Sequence, residues 1–248
     1  MRRAGDNSAV GSSSAVDLSA VDGLVDAVRA ALAAAADPAK APAMQAYMKS
    51  AMPYLGVPKP RRELALRPVL AVHRLATEPD WRAAVLRLWR EAQFREERYA
   101  AIALTGERPY RAYWTPDLLP VYQEMIVTGA WWDYVDELAS RRVGPLLAAS
   151  PAALRPVMLR WSRAPDRWLR RTSIICQLGA KQHTDLDLLY ACIDANLDDR
   201  DFFLRKAIGW ALRHHARTDP DEVRRFVAAR HDRLSPLSRR EALRNVGP

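Results

Sequence analysis

The sequence predicts an all-α protein, a HEAT-like repeat solenoid built of antiparallel helix pairs. Three observations lead there. One kind of helix-start signal, a Ser, Thr or Asp followed by Pro, recurs at Thr115-Pro116, Ser150-Pro151, Asp219-Pro220 and Ser235-Pro236. The polar side chain can accept from orphan amides of the first turn, and proline presets the helical φ. Period-2 alternation is absent, and no Asn-Gly or Asp-Gly turn links two alternating runs. The helix pairs follow one another at roughly 35–40 residues, the period expected of HEAT-like repeats. Stacked pairs make a curved solenoid with a concave binding face.

In chain order, residues 1–16 are rich in Ser, Gly and Ala without periodicity and read as a disordered leader, ahead of a single all-helical domain over 17–248. Asp17 or Ser19 can cap a helix through Ala35, with Val21, Leu24, Val25, Val28 and Leu32 on one stripe. A second helix covers 41–52, with Met44, Tyr47, Met48 and Met52 on one side, and Gly56-Val57-Pro58-Lys59-Pro60 is a turn. Pro60 fits the first turn of a helix through His73. Glu78-Pro79-Asp80 opens a helix carrying Trp81, Val85, Leu88 and Trp89, and 95–104 forms another. Thr115-Pro116-Asp117 opens one through Val127, and the next runs over 131–147 with a potential break at Gly144-Pro145. Further helices are expected over 151–162, 166–181, 185–196, 199–216 and 221–230, with a last one opened by Ser235-Pro236.

Composition bounds the function. The chain has 248 residues, 49% hydrophobic and 27% charged, which suits a substantial globular core. No apolar run reaches bilayer length, and Arg2 and Arg3 precede no apolar signal segment. The two cysteines, Cys176 and Cys192, form no CxxC pair, so neither a disulfide scaffold nor a zinc site is expected, and a reducing cytoplasm fits. Net charge is +9, and only five of the 38 basic residues are lysine. Arginine forks suit phosphate, and the charge points to a polyanionic partner. There is no GxGxxG, no P-loop, no HExxH and no GxSxG, and the five histidines are scattered. Adjacent His214 and His215 point apart on a helix and make no metal site.

The most informative stretch is Trp131-Trp132-Asp133-Tyr134-Val135-Asp136. Trp132 and Asp136, four residues apart, share one helix face. An aromatic plane beside a carboxylate can stabilise positive charge; the plainer reading is a packed tryptophan with a surface aspartate. In 167–172, Arg171 follows Trp168 by three residues. In 206–213, Lys206, Trp210 and Arg213 share a basic, aromatic face opposite Leu204, Ile208, Ala211 and Leu212.

Taken in order, Tyr47-Met48-Lys49, Tyr54-Leu55-Gly56-Val57-Pro58, Ile126-Val127-Thr128 with Trp131-Trp132-Asp133-x-Val135-Asp136, Trp168-Leu169-Arg170-Arg171, Phe202-Phe203 with Lys206-Ala207-Ile208-Gly209-Trp210, and Leu237-Ser238-Arg239-Arg240-Glu241-Ala242 resemble the DNA alkylation repair family. The resemblance runs over residues 20–246 and is strongest to the branch of alkylpurine DNA glycosylases. It implies an all-helical, C-shaped HEAT-like solenoid with a basic concave face. It also implies a monomer that needs no cofactor or metal and acts on double-stranded DNA holding alkylated purines, near the nucleoid. By position, Asp136 is then the catalytic carboxylate, Trp132 and Trp210 are the active-site tryptophans, Tyr47 an aromatic near the damaged nucleotide, and Arg171 and Arg213 DNA contacts.

The implied reaction is hydrolysis of the N-glycosidic bond of cationic N3- or N7-alkylated purines, with the lesion left stacked. Such a base is already a good leaving group and needs no general acid. An ionised Asp136 would stabilise the oxocarbenium-like sugar and orient water, and the two tryptophans would add cation–π stabilisation. Two other classes fit an all-helical basic chain. One is a non-catalytic binder of distorted or branched DNA, against which the Asp136, Trp132 and Trp210 set argues. The other is a protein–protein scaffold, for which less positive charge and no Trp/Asp cluster would be expected.

Overall fold

Capping side chains set several helix starts in this chain, whereas Thr115 and Ser150, expected as caps, make no such hydrogen bond, and a 3-10 turn over Pro116–Leu118 precedes the helix that begins at Leu119. In the computed structural model, which describes residues 15–244 and residue 246, Asp17 accepts from the Ala20 amide, Thr77 from Asp80, and Asp166 from Trp168 and Leu169. Asp185, Asp201, Asp219 and Ser235 do the same for the helices that follow them. Each cap is worth about 1 kcal/mol. The described residues form helices, turns and no strand. Asp22-Gly23, a dipeptide common in hairpins, lies inside the first helix. The leader expected over 1–16 lies outside the described residues except for 15 and 16.

The chain divides into two compact units, Met1–Ala100 and Ala101–Pro248. The first holds α1 (Leu18–Ala34), α2 (Ala41–Met48), α3 (Lys59–Val72), α4 (Glu78–Arg90) and the start of α5 (Arg95–Leu104). The expected stripe of α1 (Val21, Leu24, Val25, Val28, Leu32) is fully buried, and α1 packs on α3 and α4. Trp81, Val85, Leu88 and Trp89 of α4 are buried too. The buried Glu96 accepts from the amides of Leu55, Gly56 and Val57, each at 3.0 Å, and so fixes the turn before α3.

The second unit contains α6 (Leu119–Gly129), α7 (Trp132–Leu138), α8 (Gly144–Ala149), α9 (Pro151–Trp161), α10 (Arg167–Ile175), α11 (Leu186–Asp194), α12 (Phe202–His215), α13 (Pro220–Ala229) and α14 (Pro236–Ala242). In this unit α7 packs on α10, α10 on α12 and α12 on α14, while α9 packs on both α10 and α11. Several long-range bonds span 34 to 36 residues, within a wider range of 28 to 37 in this unit. Arg171 reaches Asp136 across 35 residues, Asn196 reaches Ser162 across 34, Arg233 reaches Asp198 across 35 and Arg230 reaches Asp194 across 36.

Three local outcomes differ from the expectations. The second helix ends at Met48 rather than 52, because Lys49 turns into the left-handed region at φ 48°. The helix expected over 166–181 stops at Ile175. The potential break at Gly144-Pro145 is no break. A π-helical turn over Ala139–Val143 joins α7 to α8, with the Gly144 amide reaching back to the Ala139 carbonyl. Pro145 then sits in the first turn of α8, where its missing N–H costs no bond.

Candidate active site

Four helices of the second unit begin at Trp132, Arg167, Phe202 and Pro236, at nearly even intervals. Residues at the same rung of successive helices are therefore brought side by side. Asp136 and Arg171 each stand one turn after the start of their helix. Arg171 Nε donates to Asp136 Oδ1 at 2.7 Å and Nη2 donates to Oδ2 at 2.8 Å. This two-point fork fixes the plane of the carboxylate. The remaining nitrogen, Nη1, donates to the Phe203 carbonyl at 2.6 Å, which ties the pair to α12. The side chains are 6% and 17% exposed for Arg171 and Asp136, so the Asp136 side chain keeps part of its surface open to solvent.

Burial pushes the Asp136 carboxyl above the ordinary carboxylate range, against the hydrogen bond and charge of Arg171, while the Asp133 charge adds to the rise. The Asp136 carbonyl accepts from Ser140 Oγ at 2.6 Å. The Arg171 guanidinium carbon lies 5.9 Å from the Trp210 ring centroid, within cation–π range. Trp210 and Trp132 are both half-buried, with Trp132 on the first turn of α7, one turn before Asp136. α6 ends in Ala130 at φ 44°, a left-handed residue that redirects the chain into α7.

The other residues singled out in the sequence fall as follows. Arg213, one turn beyond Trp210, donates to Glu241 Oε2 at 2.8 Å. Tyr47 belongs to the first unit, on α2, and is 75% exposed. Tyr134 is fully buried, and Arg170 pairs with Asp199 at 2.7 Å. Among the described residues, no three His, Cys, Asp or Glu side chains are grouped to hold a metal ion.

Sequence reasoning gave no role to the aromatic group behind the ion pair. Phe203 lies 5.0 Å from Trp168 and 5.5 Å from Trp131, and the two indoles are 6.2 Å apart, centroid to centroid. These rings join the N-terminal ends of α7, α10 and α12, and so hold the Phe203 carbonyl where Arg171 can reach it. The 35-residue separation was the available signal, since it pairs Asp136 with Arg171 and Trp168 with Phe203.

A buried, oriented carboxylate with an aromatic ring near its partner suits stabilisation of a transient cation. Comparison with known proteins bears on which cation. A family model described as "DNA alkylation repair enzyme" matches residues 28–246. No curated protein matches the sequence. Among solved structures, a "predicted DNA alkylation repair enzyme from Enterococcus faecalis" is similar at 27% identity with a TM-score of 0.77, covering 86% of this chain and 97% of that one.

Proposed function

The chain belongs to the DNA alkylation repair enzyme family, and from that premise we propose that it is a DNA glycosylase releasing N3- and N7-alkylated purines from duplex DNA. The observation that carries the proposal is the Asp136–Arg171 fork, a half-shielded carboxylate held in one orientation. Alkylation at N3 or N7 places a positive charge on the base, so the C1′–N bond can break without a proton donor. As it breaks, positive charge moves onto the sugar, and the ionised Asp136 meets it with no reorganisation. A carboxylate has about four lone-pair sites; the fork occupies two, leaving the open edge to face the sugar and orient the attacking water.

Arg171 is the positioning residue in this reading, whatever phosphate its remaining N–H bonds reach. Trp132 and Trp210 flank the sugar and add cation–π stabilisation. Arg213 and Tyr47 contact the DNA. The lesion stays stacked, since the site reads charge on sugar and base rather than base edges. The protein acts as a monomer in the cytoplasm, without metal or cofactor. Incubation with methylated duplex DNA should release 7-methylguanine and 3-methyladenine, while uracil and hypoxanthine, which leave poorly without protonation, stay in place. Failure to release either methylated base, or efficient release of uracil by the pure protein, would refute the proposal.

A further inference from the structure

Glu241 on α14 is a buried carboxylate that the excision chemistry does not use. Its side chain is 11% exposed and sits between two cations of α12, with Lys206 Nζ 3.2 Å from Oε1 and Arg213 Nη1 2.8 Å from Oε2. Lys206 and Arg213 lie one turn either side of Trp210 on the same face. Burial acts to raise the Glu241 carboxyl. The hydrogen bond from Lys206 and the charges of Lys206, Arg213 and Arg244 outweigh it and hold the group below the ordinary range, so it is ionised at neutral pH.

The close approach of α14 depends on Gly209. A Cβ there would stand 2.5 Å from Glu241 Cβ and 3.0 Å from the Ser238 carbonyl. Glycine inside a helix is less favourable than alanine, yet it sits where it admits this carboxylate. Ser238 Oγ donates to the Arg205 carbonyl at 2.9 Å and closes the two helices further.

A carboxylate among cations meant for DNA lowers the attraction for a polyanion. What it supplies is order. A free Lys or Arg side chain loses much rotamer freedom when fixed. Held by Glu241, each has already lost most of it, and each keeps donors for phosphate because one contact uses only part of an ammonium or a guanidinium.

We propose that Glu241 is a positioning residue that holds Lys206 and Arg213 as a preformed two-point phosphate clamp beside Trp210, weakening DNA binding while fixing the sugar's register at Asp136. The inference rests on the glycosylase reading. Its test is Glu241→Gln, which keeps shape and packing and removes the charge. The clamp predicts opposite responses. Affinity for undamaged duplex rises severalfold, since one negative charge is gone, while single-turnover release of 7-methylguanine at saturating protein falls about tenfold through lost registration. In a Lys206→Gln/Arg213→Gln background, adding Glu241→Gln should slow release no further, as for residues of one network, and should raise affinity less than in wild type, because only the carboxylate's own repulsion is then removed. A merely structural ion pair would lower binding and release together, or move neither, and either result overturns the clamp. If the wild-type protein releases no base, the glycosylase reading has failed and the clamp stands or falls on affinity alone: a rise that shrinks in the double background supports it, and no rise, or an equal rise in both backgrounds, refutes it.

Discussion

Asp136 and Arg171 respond differently to substitution because burial weighs on the carboxylate. If the proposed function holds, excision requires the ionised carboxylate, and activity should fall as pH drops through its raised value, with a midpoint above the ~3.9 of a free aspartate. Arg171 works against the rise. Arg171→Met should therefore move the midpoint of the pH–rate profile further up, and Arg171→Lys, which restores charge without the fork, should fall between. A profile unmoved in both variants would mean that Arg171 does not govern the ionisation. Stability follows the opposite course. A group with a raised folded-state pKa contributes stability below its unfolded value and loses it as pH rises through the folded one. The difference in urea midpoint between wild type and Asp136→Asn should shrink over the interval in which activity appears. Arg171→Met at neutral pH should cost about 3 kcal/mol or more, since it leaves a buried carboxylate without its partner.

At the scale of elements, helix starts were legible and helix ends less so. Caps and first-turn prolines act locally, and Asp17, Asp185, Asp219 and Ser235 cap as read, while Thr115 and Ser150 precede a first-turn proline without capping. Ends depend on tertiary packing and on backbone choices such as the left-handed Lys49 and Ala130, which no glycine signals. Gly144 is the instructive case. It reads as a breaker, yet it lies in continuous helix where a Cβ would stand 2.2 Å from the Cys176 carbonyl at the end of α10. Its role is close approach of α8 to the helix that bears Arg171. Gly144→Ala should lower stability by roughly 1–3 kcal/mol through overpacking, even though alanine favours helix. Urea unfolding measures this, and a variant as stable as wild type would remove the packing explanation.

On the scale of the molecule, the all-helical class was legible, and the sequence also singled out Asp136, Arg171 and Trp210, which the fold brings together. Their mutual contacts were not legible. The Trp132–Asp136 spacing is local, whereas the partner of Asp136 lies 35 residues away and emerges only when successive helices stack in register. Net charge of +9 gives a further expectation. Arg213→Ala should reduce the slope of log affinity against log salt by about 1 if Arg213 contacts phosphate, whereas the exposed Arg67→Ala should leave it unchanged. Equal slopes in both variants and wild type would place the backbone contact elsewhere. Stability should also fall in acid. Asp80, Asp185, Asp201 and Glu241 all lie below their ordinary values, so their contributions are present above the usual carboxylate range and are lost as pH drops through the depressed values.

The most direct test of the central claim is single-turnover release of 7-methylguanine from duplex DNA by wild type and by Asp136→Asn, with folding of both checked by circular dichroism. The carboxylate assignment predicts a folded variant slowed roughly 10²–10³-fold, the scale of losing one preorganised electrostatic stabiliser, while Asp133→Asn stays near the wild-type rate. A folded Asp136→Asn that releases the base as fast as wild type would contradict it.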